Sequence, residues 1–172
     1  RSTLFPYTTL FRSRSIRVFV ELTAPTATQL EPQRVEDQLI FALESGVEQS
    51  MLLSAYSWKA LFVEELIVNK DTLINEEQPI VIRKGIVVAK GATLTLSHAQ
   101  LYFHDNAGID VEGTLKADSC MFRGDRLDKM FSYLPYDRVS GQWRGITMKS
   151  SKDNIFKDCI IKNTCTAVIC EI

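Results

Sequence analysis

Four short segments decide the fold: Lys84-Gly-Ile-Val-Val88, Ala107-Gly-Ile-Asp-Val111, Arg144-Gly-Ile-Thr-Met148 and Thr166-Ala-Val-Ile-Cys170. Laid over one another they give an apolar column of Ile86, Ile109, Ile146 and Val168. Two residues on they give a second column, Val88, Val111, Met148 and Cys170. Apolar positions spaced by two are the period of a strand, whose successive side chains point to opposite faces. A second element repeats out of phase with the first. Gln100-Leu-Tyr-Phe103, Ser119-Cys-Met-Phe122 and Asp158-Cys-Ile-Ile161 align Leu101 with Cys120 and Cys159, and Phe103 with Phe122 and Ile161. A third face shows in Gly91-Ala-Thr-Leu-Thr-Leu96 and Gly113-Thr-Leu-Lys116.

The intervals turn these strands into an architecture. Ile86 to Ile109 is 23 residues, Ile146 to Val168 is 22 and Leu101 to Cys120 is 19. Repeats of about 20 residues with short strands and Gly, Asn or Asp at the corners predict a solenoid, because no single repeat can bury its apolar face alone. Successive coils would stack at about 4.8 Å, the spacing of paired strands. The expected fold is therefore all-β, with a right-handed parallel β-helix of three to four coils over residues 71–172. Ile109 to Ile146, at 37 residues, and Cys120 to Cys159, at 39, break the rule. One normal coil subtracted leaves an excess of about 15–20 residues, an insertion over 125–143; solenoid insertions map to loops on one face.

Upstream the grammar differs. Ile16, Val18, Val20 and Leu22 alternate with Arg17, Phe19 and Glu21, and Val47, Met51, Leu53 and Ala55 follow the same habit. Between them Val35, Leu39, Ala42 and Leu43 fit a helical face, while Leu39, Phe41 and Leu43 fit a strand. Strands on either side and the Glu44-Ser45-Gly46 turn favour the strand. Residues 15–70 are thus expected to form a partial β-sandwich. Residues 1–13, Arg-Ser-Thr-Leu-Phe-Pro-Tyr-Thr-Thr-Leu-Phe-Arg-Ser, resemble the translation of a short-read sequencing adapter. They are expected to be an artefact, with the natural start upstream and further coils beyond Ile172.

Charge and soft ligands narrow the function. Of 20 lysines and arginines, Arg1 and Arg12 lie in that leading stretch, which leaves 18 against 21 acids, a net of −3. So mild and interspersed a balance argues against a nucleic-acid surface. Cys120, Cys159, Cys165 and Cys170 include no CxxC pair, and with His98 and His104 they lack zinc-site spacing, so no metal or cofactor is expected. Cys120 and Cys159 fall in one inward column on adjacent coils. Parallel neighbours point their Cβ bonds the same way, which opposes bridging and predicts buried thiols.

The stretches Arg123-Gly-Asp-Arg-Leu-Asp-Lys-Met-Phe131 and Tyr133-Leu-Pro-Tyr-Asp-Arg-Val-Ser-Gly-Gln-Trp-Arg-Gly-Ile146 resemble a group of right-handed β-helix lipoproteins of Gram-negative bacteria. Ser15-Ile-Arg-Val-Phe-Val-Glu-Leu-Thr23 and Leu43-Glu-Ser-Gly-Val-Glu-Gln49 resemble the small β-domain preceding the helix in that group. The resemblance implies a cell-envelope or outer-surface location, with membrane attachment only through an N-terminal lipid anchor outside this sequence. It supplies no catalytic residues. Valine, leucine or isoleucine would be expected in place of Cys120, Cys159 and Cys170.

The insertion concentrates Phe131, Tyr133, Tyr136 and Trp143 with Asp137 and Arg138, and with Asp128 and Arg126 beside them. Aromatic faces among charged hydrogen-bonding groups suit recognition of a carbohydrate or another surface macromolecule. Phe131, Tyr133, Tyr136, Asp137, Arg138 and Trp143 are the expected ligand-binding residues of a non-catalytic surface protein. The plainer alternative, that the aromatics clamp the insertion to the helix, is favoured by the Tyr133-Leu-Pro-Tyr136 turn. A second functional reading is a fragment of a polysaccharide lyase or hydrolase with its active site on further coils. Asp105 with Asp125, and His104 with Arg123, are the pairs that neighbouring corners would bring together. Arg123-Gly124-Asp125 as a cell-attachment tripeptide is the weakest reading, since it sits where a corner is expected.

Overall fold

The computed structural model describes residues 18–21, 27–149 and 153–171. The chain is all-β, a parallel β-solenoid preceded by an antiparallel hairpin. Strands β1 (Gln33–Ala42) and β2 (Glu48–Ser57) pair antiparallel from Gln33 opposite Ser57 to Ala42 opposite Glu48. The strand reading of residues 39–43 is thus correct as far as Ala42, and the turn falls at Gly46 with φ 79°. Of the expected strand over residues 16–22, the described part, Val18 to Glu21, forms no strand, and residues 16, 17 and 22 lie outside the described residues. Trp58, just past β2, packs edge-on against Tyr102 of the solenoid with ring centroids 4.6 Å apart.

The solenoid runs as β3 (Leu61–Val68), β4 (Thr72–Ile74), β5 (Ile80–Val88), β6 (Thr93–Ser97), β7 (Gln100–Phe103), β8 (Gly108–Val111), β9 (Thr114–Asp118) and β10 (Met121–Gly124). After the insertion it resumes as β13 (Gly145–Met148), β14 (Ile155–Lys157), β15 (Ile160–Ile161) and β16 (Val168–Cys170). Each coil visits three faces. The first stacks the leading halves of β3 and β5 with β7, β10 and β15; the second stacks their trailing halves with β8, β13 and β16; the third stacks β4, β6, β9 and β14. There are about five turns rather than three to four. The solenoid starts at Leu61, ten residues before the expected boundary, because β3 pairs with β5 over its whole length. Its side chains carry the same period-two pattern as the hairpin, so periodicity alone assigned β3 to the preceding unit.

On the second face the register matches the sequence columns. Ile86 lies opposite Ile109, Ile109 opposite Ile146 and Ile146 opposite Val168; Val88, Val111, Met148 and Cys170 follow two residues on. The first face needs a correction. Leu101 lies opposite Phe122, and Phe122 opposite Ile161, while Phe103 lies opposite Gly124. The step from β7 to β10 is therefore 21 residues, not 19. A slip of two keeps every side chain on its own face, so apolar patterning cannot detect it. The corners can: His98, Ser119 and Asp158 follow the paired residues Ser97, Asp118 and Lys157 and share a left-handed backbone, with φ of 55°, 55° and 51°. Aspartate and histidine are among the residues that adopt that region most readily.

Inside the coils, Leu94, Leu96, Leu101, Phe103, Ile109, Val111, Leu115, Phe122 and Ile146 form one buried core. Each such side chain contributes about 1.5–3 kcal/mol over leaving it in water. Cys120 is buried and Cys159 half-buried, both as free thiols, and Cys165 and Cys170 are exposed. The two inward thiols donate to the carbonyl oxygens of Asp118 at 3.1 Å and Lys157 at 3.2 Å. Burial pushes the Cys120 thiol above its ordinary pKa.

Candidate functional site

The corner between the first and second faces varies most in length from coil to coil. In β3 and β5 a single strand bends around it; in β5 the bend is at Gly85. In the next coil the turn spans residues 104–107, in the one after that residues 125–144, and in the last residues 162–167. The long excursion is the predicted insertion. It folds as a small antiparallel hairpin, β11 (Lys129–Phe131) and β12 (Leu134–Pro135), followed by a 3-10 turn over Tyr136–Arg138.

Solenoid side chains hold that 3-10 turn from beneath. The Asn163 amide donates to the carbonyl oxygens of Tyr136 at 3.2 Å, Asp137 at 2.9 Å and Val139 at 3.2 Å. Gln142 donates to Val139 at 2.8 Å and also to Tyr136. A Cβ on Gly124 would collide with the Gln142 carboxamide, so the glycine lets the insertion lie close. Asp137 accepts from Lys162 Nζ at 2.7 Å and pairs with Arg123 Nη1 at 3.0 Å. The hydrogen bond from Lys162, and then the charge of Arg123, lower its carboxyl pKa. Arg123 before the insertion, Lys162 and Asn163 one coil on, and the nearby Gln142 thereby fix one short turn.

This changes the parts played by the expected ligand-binding residues. Trp143 is withdrawn to 3% exposure; its ring stacks on Phe103 and its indole N–H donates to the Lys162 carbonyl at 2.8 Å. An indole with its face and its donor both used inside acts first as a core residue, and Trp143 keeps only a small part of its surface in the lining of a cleft beside Arg144. Asp137 is a clamp. Tyr136 is half-buried, with the Arg126 guanidinium 4.0 Å over its ring. Phe131 and Tyr133 stand out in solvent, 51% and 79% exposed, stacked on one another at 5.6 Å with planes 15° apart. Arg138 is exposed and makes no ion pair among the described residues. So Phe131, Tyr133 and Arg138 are open to a ligand, Tyr136 partly so, and Asp137 and Trp143 serve the fold.

The corner brings its acids together in part as expected. His104 Nδ1 donates to Asp125 Oδ2 at 2.7 Å, linking successive turns, while Arg123 turns the other way. Arg123 is only 8% exposed. It donates to the carbonyls of Gly124 and Arg126, both at 3.1 Å, and lies 5.4 Å from the centre of the Tyr102 ring. With Arg123 buried and Asp125 engaged by His104, the attachment-tripeptide reading is withdrawn.

Two clefts open along this corner. One, of about 250 Å3, is lined by His104, Asp105, Asp125, Met130, Tyr136 and Ser140, among others. The other, of about 290 Å3, lies against Asn106, Arg144, Thr164, Thr166 and Ile169, and the two share Asp105 and Gly141. Sequence reasoning found the acids and His104 but missed Asn163 and Gln142. The one available signal was an asparagine at a corner position, and that reads as an ordinary turn former.

No family model, no curated protein sequence and no solved structure matches this chain.

Proposed function

We propose that the chain is a non-catalytic binding module that recognises a carbohydrate through the insertion between β10 and β13, on a protein of the cell envelope. The observation that carries this reading is the Phe131–Tyr133 pair. Two aromatic rings stand in solvent at the tip of an element whose base is fixed by Asn163, Gln142, Arg123 and Lys162. Exposed aromatics on a mobile loop would be a liability. On a braced element they form a preorganised platform, which lowers the entropy lost on binding. A pyranose ring offers an apolar C–H face to such a platform and hydroxyls to the polar groups of the neighbouring clefts. The envelope location rests on the resemblance of residues 123–146.

The test is a glycan array followed by titration calorimetry on any hit, with Tyr133→Ala alongside. Loss of about 1–2 kcal/mol, roughly five- to thirtyfold in Kd, from a surface substitution that leaves the melting temperature unchanged is the expected result. Full binding by the Tyr133→Ala, Phe131→Ala double variant would sink the platform. A second reading, polysaccharide cleavage, draws on the His104–Asp125 pair beside Asp105 in one cleft. Shortened chains on incubation with a bound polysaccharide would favour it over simple binding.

A further inference from the structure

The charges along the corner groove carry the proposal one step further. Four ionised side chains line the two clefts besides His104, and three of them are already committed. Arg126 is held by Asp128 in a two-pronged bond, Nε to Oδ1 at 2.8 Å and Nη2 to Oδ2 at 2.7 Å. Arg144 is held by Asp110, through Nη1 at 3.4 Å and also through Nη2. Asp125 is held by His104. Asp105 remains. Its carboxylate is exposed on the 104–107 turn, has no hydrogen-bond or ion-pair partner among the described residues, and belongs to both clefts. Both guanidiniums that line the clefts have their forks filled by carboxylates, and the one uncommitted charge in that lining is negative; Arg138, unpaired on the insertion, lies outside both linings. The shape matters as well. Two adjoining clefts that share Asp105 and Gly141 and draw their linings from the corners of three successive coils suit a chain of several sugars better than one ring.

We infer, on the basis of the proposed carbohydrate binding, that the groove accepts an extended glycan chain free of acidic groups, and that Asp105 selects for amino sugars within it. The aromatic pair binds the ring faces and is indifferent to charge. The groove sets the charge preference, through one ammonium–carboxylate contact at a solvent-exposed position. Such a contact is worth on the order of 1 kcal/mol or less at low salt and fades as salt is added.

The experiment titrates the full chain with three probes of equal length: an N-acetylglucosamine oligomer, its deacetylated amino counterpart and an oligogalacturonate. Each is measured at low and high salt, against the wild type, Asp105→Asn and Tyr133→Ala. The expected result is binding of the first two and not of the third, with the amino probe favoured about fivefold at low salt, the factor that 1 kcal/mol provides. Asp105→Asn should remove that preference, read as the ratio of the amino and N-acetyl affinities. A disaccharide should bind more weakly than a hexasaccharide. Oligogalacturonate binding as tightly as the other two, or an amino preference that survives Asp105→Asn, overturns the inference. If Tyr133→Ala still weakens every probe in that case, the carbohydrate reading stands without it. If no probe binds the wild type, both fall together.

Discussion

The indole of Trp143 lies stacked on the ring of Phe103, with centroids 4.4 Å apart and planes 11° apart, joining the end of the insertion to the strand of the preceding coil. Phe103 opposes Gly124 in the next coil, so above it the first face offers no side chain. The Gln142 side chain takes the place beside Gly124, and Trp143, at the end of the insertion, covers the Phe103 ring. The insertion thus ends by supplying a ring that the regular coil lacks.

Trp143→Ala should therefore cost about 3–5 kcal/mol, the range for truncating a large buried aromatic, with the loss of the Lys162 hydrogen bond included. Trp143→Phe should recover most of the packing and lose only the indole donor. Urea denaturation of the three proteins measures both. A loss below about 1 kcal/mol for the alanine variant would place Trp143 outside the cooperative core.

Gly145 explains why the sequence repeat carries its glycine. It sits at φ 91°, and a Cβ there would collide with the carbonyl oxygen of Thr166 in the next coil. At Gly108, one coil earlier, a Cβ would come within 3.0 Å of the Gly145 carbonyl oxygen. Gly145→Ala should destabilise by about 2–4 kcal/mol, backbone strain and collision combined. Gly46→Ala, with φ 79° and open space around it, meets the strain alone and should cost about 1 kcal/mol. Equal melting temperatures for the two variants would contradict the stacking of coils at this corner.

The insertion should loosen in acid. Lys162 and Arg123 lower the pKa of Asp137. A carboxylate with a depressed folded pKa contributes stability that is present above its unfolded value of about 3.9 and is lost as pH falls through the folded value. Because Asp137 is half-exposed, the contribution is held below about 1 kcal/mol by solvent screening. Stability measured from pH 6 to pH 2.5 should show the wild type losing its small advantage over Asp137→Asn between pH 4 and the acid end. A constant difference between the two proteins down to pH 2.5 would show that the clamp does not depend on charge.

Much of the fold was legible because stacked coils impose the same requirement on every repeat. Ile86, Ile109, Ile146 and Val168 must all face one interior, and their spacing of about one coil follows from the perimeter of the three faces. The same logic set the insertion at 125–143, since whatever exceeds the perimeter must leave it. The site was less legible. Exposed Tyr133 and buried Trp143 are ten residues apart in one aromatic stretch, and nothing local distinguishes them. Their fates depend on whether a neighbouring coil leaves room, as it does beside Phe103 and not at the tip of the insertion hairpin.

By itself the sequence determined the class of fold, the parallel stacking, the second-face register and the place where a coil would bulge. All of these follow from the two-residue side-chain period and the repeat length. Tertiary structure alone decided the slip of two on the first face, the start of the solenoid at Leu61, the withdrawal of Arg123 and Trp143, and the clamp of Asn163 on Tyr136, Asp137 and Val139. A period of two is blind to shifts of two. A hydrogen bond between residues 24 to 27 positions apart depends on the path of a whole coil, which no short window of sequence contains.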